Sequence, residues 1–166
     1  GAYGAGVLKG WSEEGSRPVF KVVTGVSTGA LIAPFAFLGS EYDKAAENIF
    51  TNISTKDIVK RKGLLSGIFG NSLTSSEPLA GLISASVNDQ LLSDIAREYG
   101  RGRRLFVGTV NLDACRLIIW DMGAIAVLAS SGNIQARELF KDVLLASASI
   151  PVTFSPVLID VEADGK

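Results

Sequence analysis

Hydrophobic residues follow two different periods along this chain. Near its start, Tyr3, Val7, Leu8 and Trp11 recur at the spacing of a helix. The β-branched run Val19–Thr24 comes soon afterwards and is typical of a strand. The same change of period recurs further along, so the pattern predicts helices that alternate with strands.

The predicted elements cover most of the chain. The predicted strands are Val19–Thr24, Arg104–Asn111, Arg116–Trp120 and Val157–Ala163. The predicted helices are Ala2–Glu13, an almost wholly apolar one from about Ala30, Tyr42–Phe50, Thr55–Lys60, Ser76–Val87, Asn88–Tyr99 and Asn133–Ser147, with Gly63–Leu73 as a loop. Alternating strands and helices predict an α/β fold with helices on both faces of a sheet.

Composition narrows the class of protein. The chain has 166 residues, of which 47% are hydrophobic and 20% charged, as in a globular domain. A net charge of -1 gives no reason to expect nucleic acid as a partner. The single cysteine, Cys115, allows no internal disulfide and is expected to be a small core residue. The longest apolar run, Ala30–Leu38, is too short to span a membrane, and no signal peptide is recognisable.

Both ends of the chain lack the features of a natural terminus. No initiator methionine precedes Gly1, and Asp164, Gly165 and Lys166 come where a hairpin is expected to turn. We therefore expect residues 1–166 to be a single domain that is truncated at both ends.

The chain contains no histidine. Histidine is the usual general base near neutral pH. A serine mechanism that uses only these residues therefore needs another base.

One short motif carries candidate chemistry. Gly25-Val26-Ser27-Thr28-Gly29 matches the G-x-S-x-G nucleophile elbow, with an apolar strand before it and an apolar helix after it. Such a turn holds its serine in a strained conformation, and the flanking glycines avoid clashes. The N–H of Thr28 then lies where it can donate to an oxyanion. The alternative is a tight turn whose serine only caps the helix.

Three segments together resemble the patatin-like phospholipases. They are Gly1–Trp11, Val23–Leu31 and Ala146–Pro151, and they occur in the order found in that family. The resemblance implies a three-layer α/β/α fold related to cytosolic phospholipase A2. It also implies hydrolysis of lipid acyl esters by a Ser-Asp dyad without histidine, for which neither a cofactor nor a metal is expected. Ser27 takes the place of the family's nucleophile.

The chain departs from the family pattern at two places. Of the glycine-rich oxyanion loop before the first helix, only the last glycine is present, as Gly1. The family's aspartate lies in an Asp-Gly-Gly or Asp-Gly-Ala motif, whereas this chain has Asp164-Gly165-Lys166. Asp164 is thus a possible base, but Asp-Gly after an alternating strand is also a hairpin-turn signal. We expect Asp164 to be a turn residue and the base to lie beyond Lys166.

Several charged or polar residues have two interpretations. One basic cluster lies next to apolar side chains and could make transient contact with a membrane surface. It consists of Lys56, Lys60, Arg61 and Lys62, followed by Leu64, Leu65 and Phe69. The favoured interpretation is a helix end followed by a packed loop. Arg101, Arg103 and Arg104 could bind phosphate but are more typical of a solvated edge. Asp113 and Asp121 could act as the general base only if the fold brings them close to Ser27. Ser147 and Ser149 lie near a helix end and are expected to pack or to cap that helix.

Three functions remain open on the sequence alone. The first is a patatin-like lipid acyl hydrolase whose partner is a lipid or another acyl ester. The second is another α/β serine esterase or an acyltransferase whose base lies outside these residues. The third is a non-catalytic lipid-binding or scaffold module that keeps the elbow as a structural turn.

Overall fold

The computed structural model describes residues 2–49, 77–149 and 156–160. Its strands are β1 (Val22–Val26), β2 (Arg104–Asn111) and β3 (Arg116–Asp121). Its helices, besides a 3₁₀ turn at Ser40–Tyr42, are α1 (Ala2–Glu13), α2 (Thr28–Leu38), α3 (43–49), α4 (Glu77–Ser86), α5 (Asp89–Gly100), α6 (Met122–Ser130) and α7 (Ile134–Ala148).

The strands form a mixed sheet in the order β1-β2-β3. β1 and β2 are parallel, with Val22 opposite Arg104 and Val26 opposite Gly108. β3 returns antiparallel to β2 through a tight hairpin. The chain between β1 and β2 includes α2 and α5, as a parallel connection requires.

In the described residues, the sheet is covered by helices on one face. Leu105 and Val107 of β2 are fully buried, and α2, α6 and α7 contact this strand. Side chains alternate between the two faces of a strand. The opposite face therefore carries the exposed Val26, Val110 and Leu117, each more than half accessible. The expectation of helices on both faces is met on one face only within the described part of the chain.

α2 lies at the centre of the core. Seven of its residues are buried, namely Ala30, Leu31, Ile32, Ala33, Pro34, Phe35 and Phe37. A helix that is apolar on all sides must be surrounded by other elements, and α2 contacts α1, α5, α7, β1 and β2. The position of its first turn is therefore determined by tertiary packing from several directions.

Two buried arginines anchor the far end of α2. Arg17 donates to the carbonyl oxygen of Ala36 at 3.1 Å and pairs with Asp43, and its side chain is only 4% exposed. Arg103 donates to the carbonyl of Phe37 and lies over the Phe37 ring. Cations near carbonyls at a helix C-terminus are favourable. These contacts connect the end of α2 to the segments before β1 and before β2.

A buried carboxylate connects α5 to the 3₁₀ turn. Asp94 accepts hydrogen bonds from Tyr42, Gln90 and Arg97. Burial alone would raise the pKa of Asp94, but these three donors outweigh it and hold that pKa below its usual value. Burial, followed by the hydrogen bond to Asp94, raises the pKa of Tyr42.

Some predicted elements need correction. Residues 156–160 form no strand, so the prediction of Val157–Ala163 as a strand is wrong over the part that is described. The α6 helix was not predicted. Cys115 is exposed in the β2–β3 hairpin with φ 51°, so the expected core position is also wrong. Thr55–Lys60 and Gly63–Leu73 lie outside the described residues.

The described helices are all unsuited to crossing a bilayer, since none combines enough length with enough apolar character.

Candidate active site

Ser27 occupies a sharp turn between a strand and a buried helix. β1 ends at Val26, α2 begins at Thr28, and Ser27 between them has φ 56° and ψ -131°. A positive φ is rare for a residue with a Cβ and marks stored backbone strain. The side chain of Ser27 is exposed. The strained turn that the motif predicts is therefore present, and its serine lies at the surface.

The two glycines of the motif have different roles. A Cβ on Gly25 would lie 2.6 Å from the carbonyl oxygen of Gly29 and 2.7 Å from Cα of Ala30. Only glycine fits there without moving the helix away from the strand. A Cβ on Gly29 would meet no described atom within 4 Å. The expected steric reason for both glycines thus holds at Gly25 but not at Gly29.

The N-terminus of α2 is directed towards the turn. Thr28 is the first residue of the helix, so its N–H has no carbonyl one turn earlier within the helix. The N–H of Ala30 already donates to the carbonyl of Ser27 at 2.9 Å. Partial positive charge at this end favours an anion near Ser27. Gly1, the other predicted oxyanion residue, lies outside the described residues.

Ser147 contacts the turn from the opposite end of the chain. Its Oγ accepts a hydrogen bond from the N–H of Ser27 at 3.0 Å and donates to the carbonyl of Gly108 at 2.7 Å. The sequence predicted only packing or capping for this residue. Ser149 follows the last residue of α7 and does cap it, since its Oγ donates to the carbonyl of Leu145. The resemblance over Ala146–Pro151 was the one signal that connected this helix end to the site.

No carboxylate among the described residues hydrogen-bonds to Ser27. Asp121 caps α6 by accepting from the N–H of Ala124 and also accepts from Tyr99. Asp113 is exposed in the β2–β3 hairpin. Burial raises the pKa of Asp142, helped by the nearby Glu138, but no hydrogen bond joins its carboxyl to Ser27 in the described part of the chain. Asp164 lies outside the described residues.

The arginines at the start of β2 and just before it make structural contacts. Glu98 accepts from Arg101 at 2.6 Å and from Arg103 at 3.0 Å. Arg104 donates to the carbonyl of Tyr99 and lies over the Tyr99 ring. These contacts leave little reason to assign a phosphate site here. Lys56, Lys60, Arg61 and Lys62, with Leu64, Leu65 and Phe69, lie outside the described residues.

An apolar pocket lies along α2. It is lined by one side of that helix, at Leu31, Pro34 and Phe35, and by residues of α3, α4, α5 and α7. A cleft of about 280 Å³ adjoins it, with Phe35 and Tyr42 in its wall. Leu31 is four residues after Ser27, which corresponds to about 6 Å along the helix axis. The nearest wall of the pocket is thus about one helical turn from the serine.

The described residues contain no group of three or more carboxylate or thiol side chains that could hold a metal ion.

This is an α/β protein in which an exposed serine joins the first strand of the sheet to a buried helix. The model of the patatin-like phospholipase family matches residues 1–165, and the chain belongs to that family. The match confirms the resemblance and the predicted patatin-like α/β/α fold class, of which the described sheet and helices are a part. Comparisons with curated proteins and with solved structures give no match.

Proposed function

We propose that this protein hydrolyses acyl esters of lipids and that Ser27 is its nucleophile. The observation that carries the proposal is the exposed position of Ser27 at positive φ, between β1 and the N-terminus of α2. A strained turn of this kind lifts a hydroxyl away from the sheet edge and towards substrate. Membership of a lipid hydrolase family supports the same assignment.

The proposed reaction has two stages. A carboxylate takes the proton from Ser27 Oγ while that oxygen attacks the acyl carbonyl carbon. The N–H of Thr28 stabilises the resulting oxyanion. The intermediate then collapses, the bond to the leaving alcohol breaks, and the alcohol oxygen takes up the proton. Water next attacks the acyl-serine ester and releases the carboxylic acid and the free Ser27 hydroxyl.

The base in this proposal is an aspartate, as in the family. Asp164, or a carboxylate that follows Lys166, would supply it. An aspartate that is fully exposed, with a pKa of about 3.9, is a weak base at neutral pH. Burial beside the sheet edge would raise its pKa and improve the match to the reaction.

The substrate class in this proposal rests on the family and not on a cavity. The apolar pocket along α2 has a free volume of about 20 Å³, which is room for about one water molecule. An acyl chain would have to displace the side chains that line it, which begin at Leu31 on α2.

The test is ester turnover by the full chain with and without the Ser27 hydroxyl. We expect Ser27→Ala to lower kcat for p-nitrophenyl butyrate and for phosphatidylcholine vesicles by about 1000-fold or more. Ser130→Ala removes another exposed serine hydroxyl, at the end of α6, and should leave kcat unchanged. Turnover that persists in Ser27→Ala would contradict the proposal, as would a full chain that hydrolyses neither ester.

A further inference from the structure

Ser27 lies at the point where the β1–β2 ladder would otherwise continue. In parallel pairing, alternate residues of a strand bond to the neighbouring strand, and each donates its N–H to the carbonyl one residue before its register partner. The carbonyl of Lys21 accepts from the N–H of Arg104 at 2.9 Å. The backbone N–H and C=O groups of every second residue after Lys21 are therefore directed towards β2. If the register continued by one residue beyond the pair Val26–Gly108, the next backbone hydrogen bond would run from the N–H of Ser27 to the carbonyl of Gly108.

The hydroxyl of Ser147 takes the place of that backbone hydrogen bond. The Oγ of Ser147 lies between the two backbone groups, 3.0 Å from the N of Ser27 and 2.7 Å from the O of Gly108. One oxygen can accept from the N–H and donate to the carbonyl at the same time. The positive φ of Ser27 directs the chain that follows this N–H into α2, and the Ser147 hydroxyl bridges the N–H and the carbonyl.

We propose that Ser147 is a positioning residue that holds the backbone of Ser27 in its strained conformation. The inference rests on the proposed function, in which Ser27 is the nucleophile, and it adds a second serine to the site. Ser147 lies in the last turn of α7, which packs on β2. Its hydroxyl therefore connects the turn to the sheet and to a helix that follows Ser27 by more than a hundred residues.

Removal of the Ser147 hydroxyl is expected to lower the reactivity of Ser27 by displacing its Oγ. Without the Ser147 hydroxyl, the N–H of Ser27 and the buried carbonyl of Gly108 both lose a partner. The turn can then relax from its strained conformation, and the Ser27 Oγ moves with it. A displacement of about 1 Å at a reacting atom can cost about 100-fold in rate.

The first test compares two serines that are two residues apart. Ser147→Ala removes the hydroxyl that accepts from the N–H of Ser27. Ser149→Ala removes a hydroxyl that donates to the Leu145 carbonyl of α7. In the full chain, we expect Ser147→Ala to slow labelling of Ser27 by a fluorophosphonate and to lower kcat by about 10-fold to 100-fold, with KM changed by less than about 2-fold. Ser149→Ala should change neither quantity by more than about 2-fold.

A second pair of variants separates the hydroxyl from the packing of the side chain. Ser147→Thr and Ser147→Val have the same shape, but only threonine keeps the Oγ. Threonine should retain most of the labelling rate, and valine should behave as alanine does. Equal rates for the two variants, when both are folded by circular dichroism, would overturn the proposal.

A measurement that does not depend on activity distinguishes this inference from the proposed function. Hydrogen exchange at the Ser27 amide should be about 10-fold faster in Ser147→Ala than in the parent or in Ser149→Ala, because that amide loses its acceptor. Unchanged exchange would overturn the positioning contact. If exchange accelerates but the parent is never labelled at Ser27, the contact stands and only the proposed function fails.

Discussion

At the scale of single residues, Ser27 combines accessibility with strain. A non-glycine residue at φ 56° and ψ -131° is in a sparsely populated region, at a cost of about 1–3 kcal/mol. The surrounding structure has to offset that cost. It does so through the packing of Gly25 against Ala30, the helix that starts at Thr28 and the hydroxyl of Ser147.

The two motif glycines should respond differently to alanine. In Gly25→Ala, the new methyl group would lie 2.6 Å from the carbonyl oxygen of Gly29, so the turn must open. We expect a loss of about 1–3 kcal/mol in the free energy of unfolding and loss of fluorophosphonate labelling. Gly29→Ala meets no described atom and should change stability by less than about 1 kcal/mol. Urea unfolding of both variants checks this, and equal destabilisation would contradict it.

At the scale of elements, polar contacts rather than hydrophobic pattern determine how several segments are joined. Arg17 links the loop before β1 to the end of α2, and Asp94 links α5 to the 3₁₀ turn at Ser40–Tyr42. Both groups are buried and bind partners far away in the sequence. Buried charges need such partners, since an unpaired one is costly.

Loss of the carboxylate that pairs with Arg17 should strongly lower the free energy of unfolding. Asp43→Asn leaves the Arg17 charge in place at a site where its side chain is 4% exposed. We expect the free energy of unfolding to fall by about 3 kcal/mol. Glu41→Gln removes an exposed charge two residues away and should change it by less than about 0.5 kcal/mol. Thermal or urea unfolding that does not distinguish the two variants would contradict the account.

The Asp94 network should make stability depend on acid pH. The pKa of Asp94 is lower in the folded protein than its ordinary value, so its contribution is present above about pH 4 and is lost as pH falls through the folded pKa. Asp94→Asn should therefore reduce the free energy of unfolding at pH 7 by about 1–3 kcal/mol. The difference from the parent should shrink at pH 3. A difference that is the same at both pH values would show that the Asp94 charge does not contribute.

At the scale of the whole molecule, the sheet is packed on one face in the described residues. Leu105 is fully buried on the helix side, whereas Leu117 on the other face is 61% exposed. Leu105→Ala should lower the free energy of unfolding by about 2–5 kcal/mol, because it leaves a cavity in the core. Leu117→Ala should cost less than about 1 kcal/mol. Equal losses in urea unfolding would mean that both faces are covered.

Elements with clear signals at their ends were predictable from the sequence. The β2 strand has the predicted bounds, and Asn88 and Asn133, at the predicted helix starts, cap α5 and α7 through their side chains. α6 was missed because Met122–Ser130 is apolar around most of its surface and follows β3 directly, so neither period stands out. Its one local signal is Asp121, whose side chain caps the helix.

The candidate site was only partly predictable. Ser27 and its turn follow from five adjacent residues, because the chemistry of a nucleophile elbow is local. The contact from Ser147 depends on the register of β1 with β2 and on the docking of α7, neither of which a local pattern contains. The prediction of a strand at 156–160 rested on alternation alone. Alternation shows which side chains prefer water, but a strand also needs a partner.

The most direct test of the central claim is to locate the adduct that a fluorophosphonate forms with the full chain. Peptide mass spectrometry of the labelled protein should find the phosphonyl group on Ser27, at one group per chain, with loss of ester hydrolysis in proportion to labelling. Ser147→Ala should form the same adduct more slowly. An adduct on another residue that accounts for the lost activity, or hydrolysis that continues after Ser27 is fully modified, would contradict the assignment of Ser27 as the nucleophile.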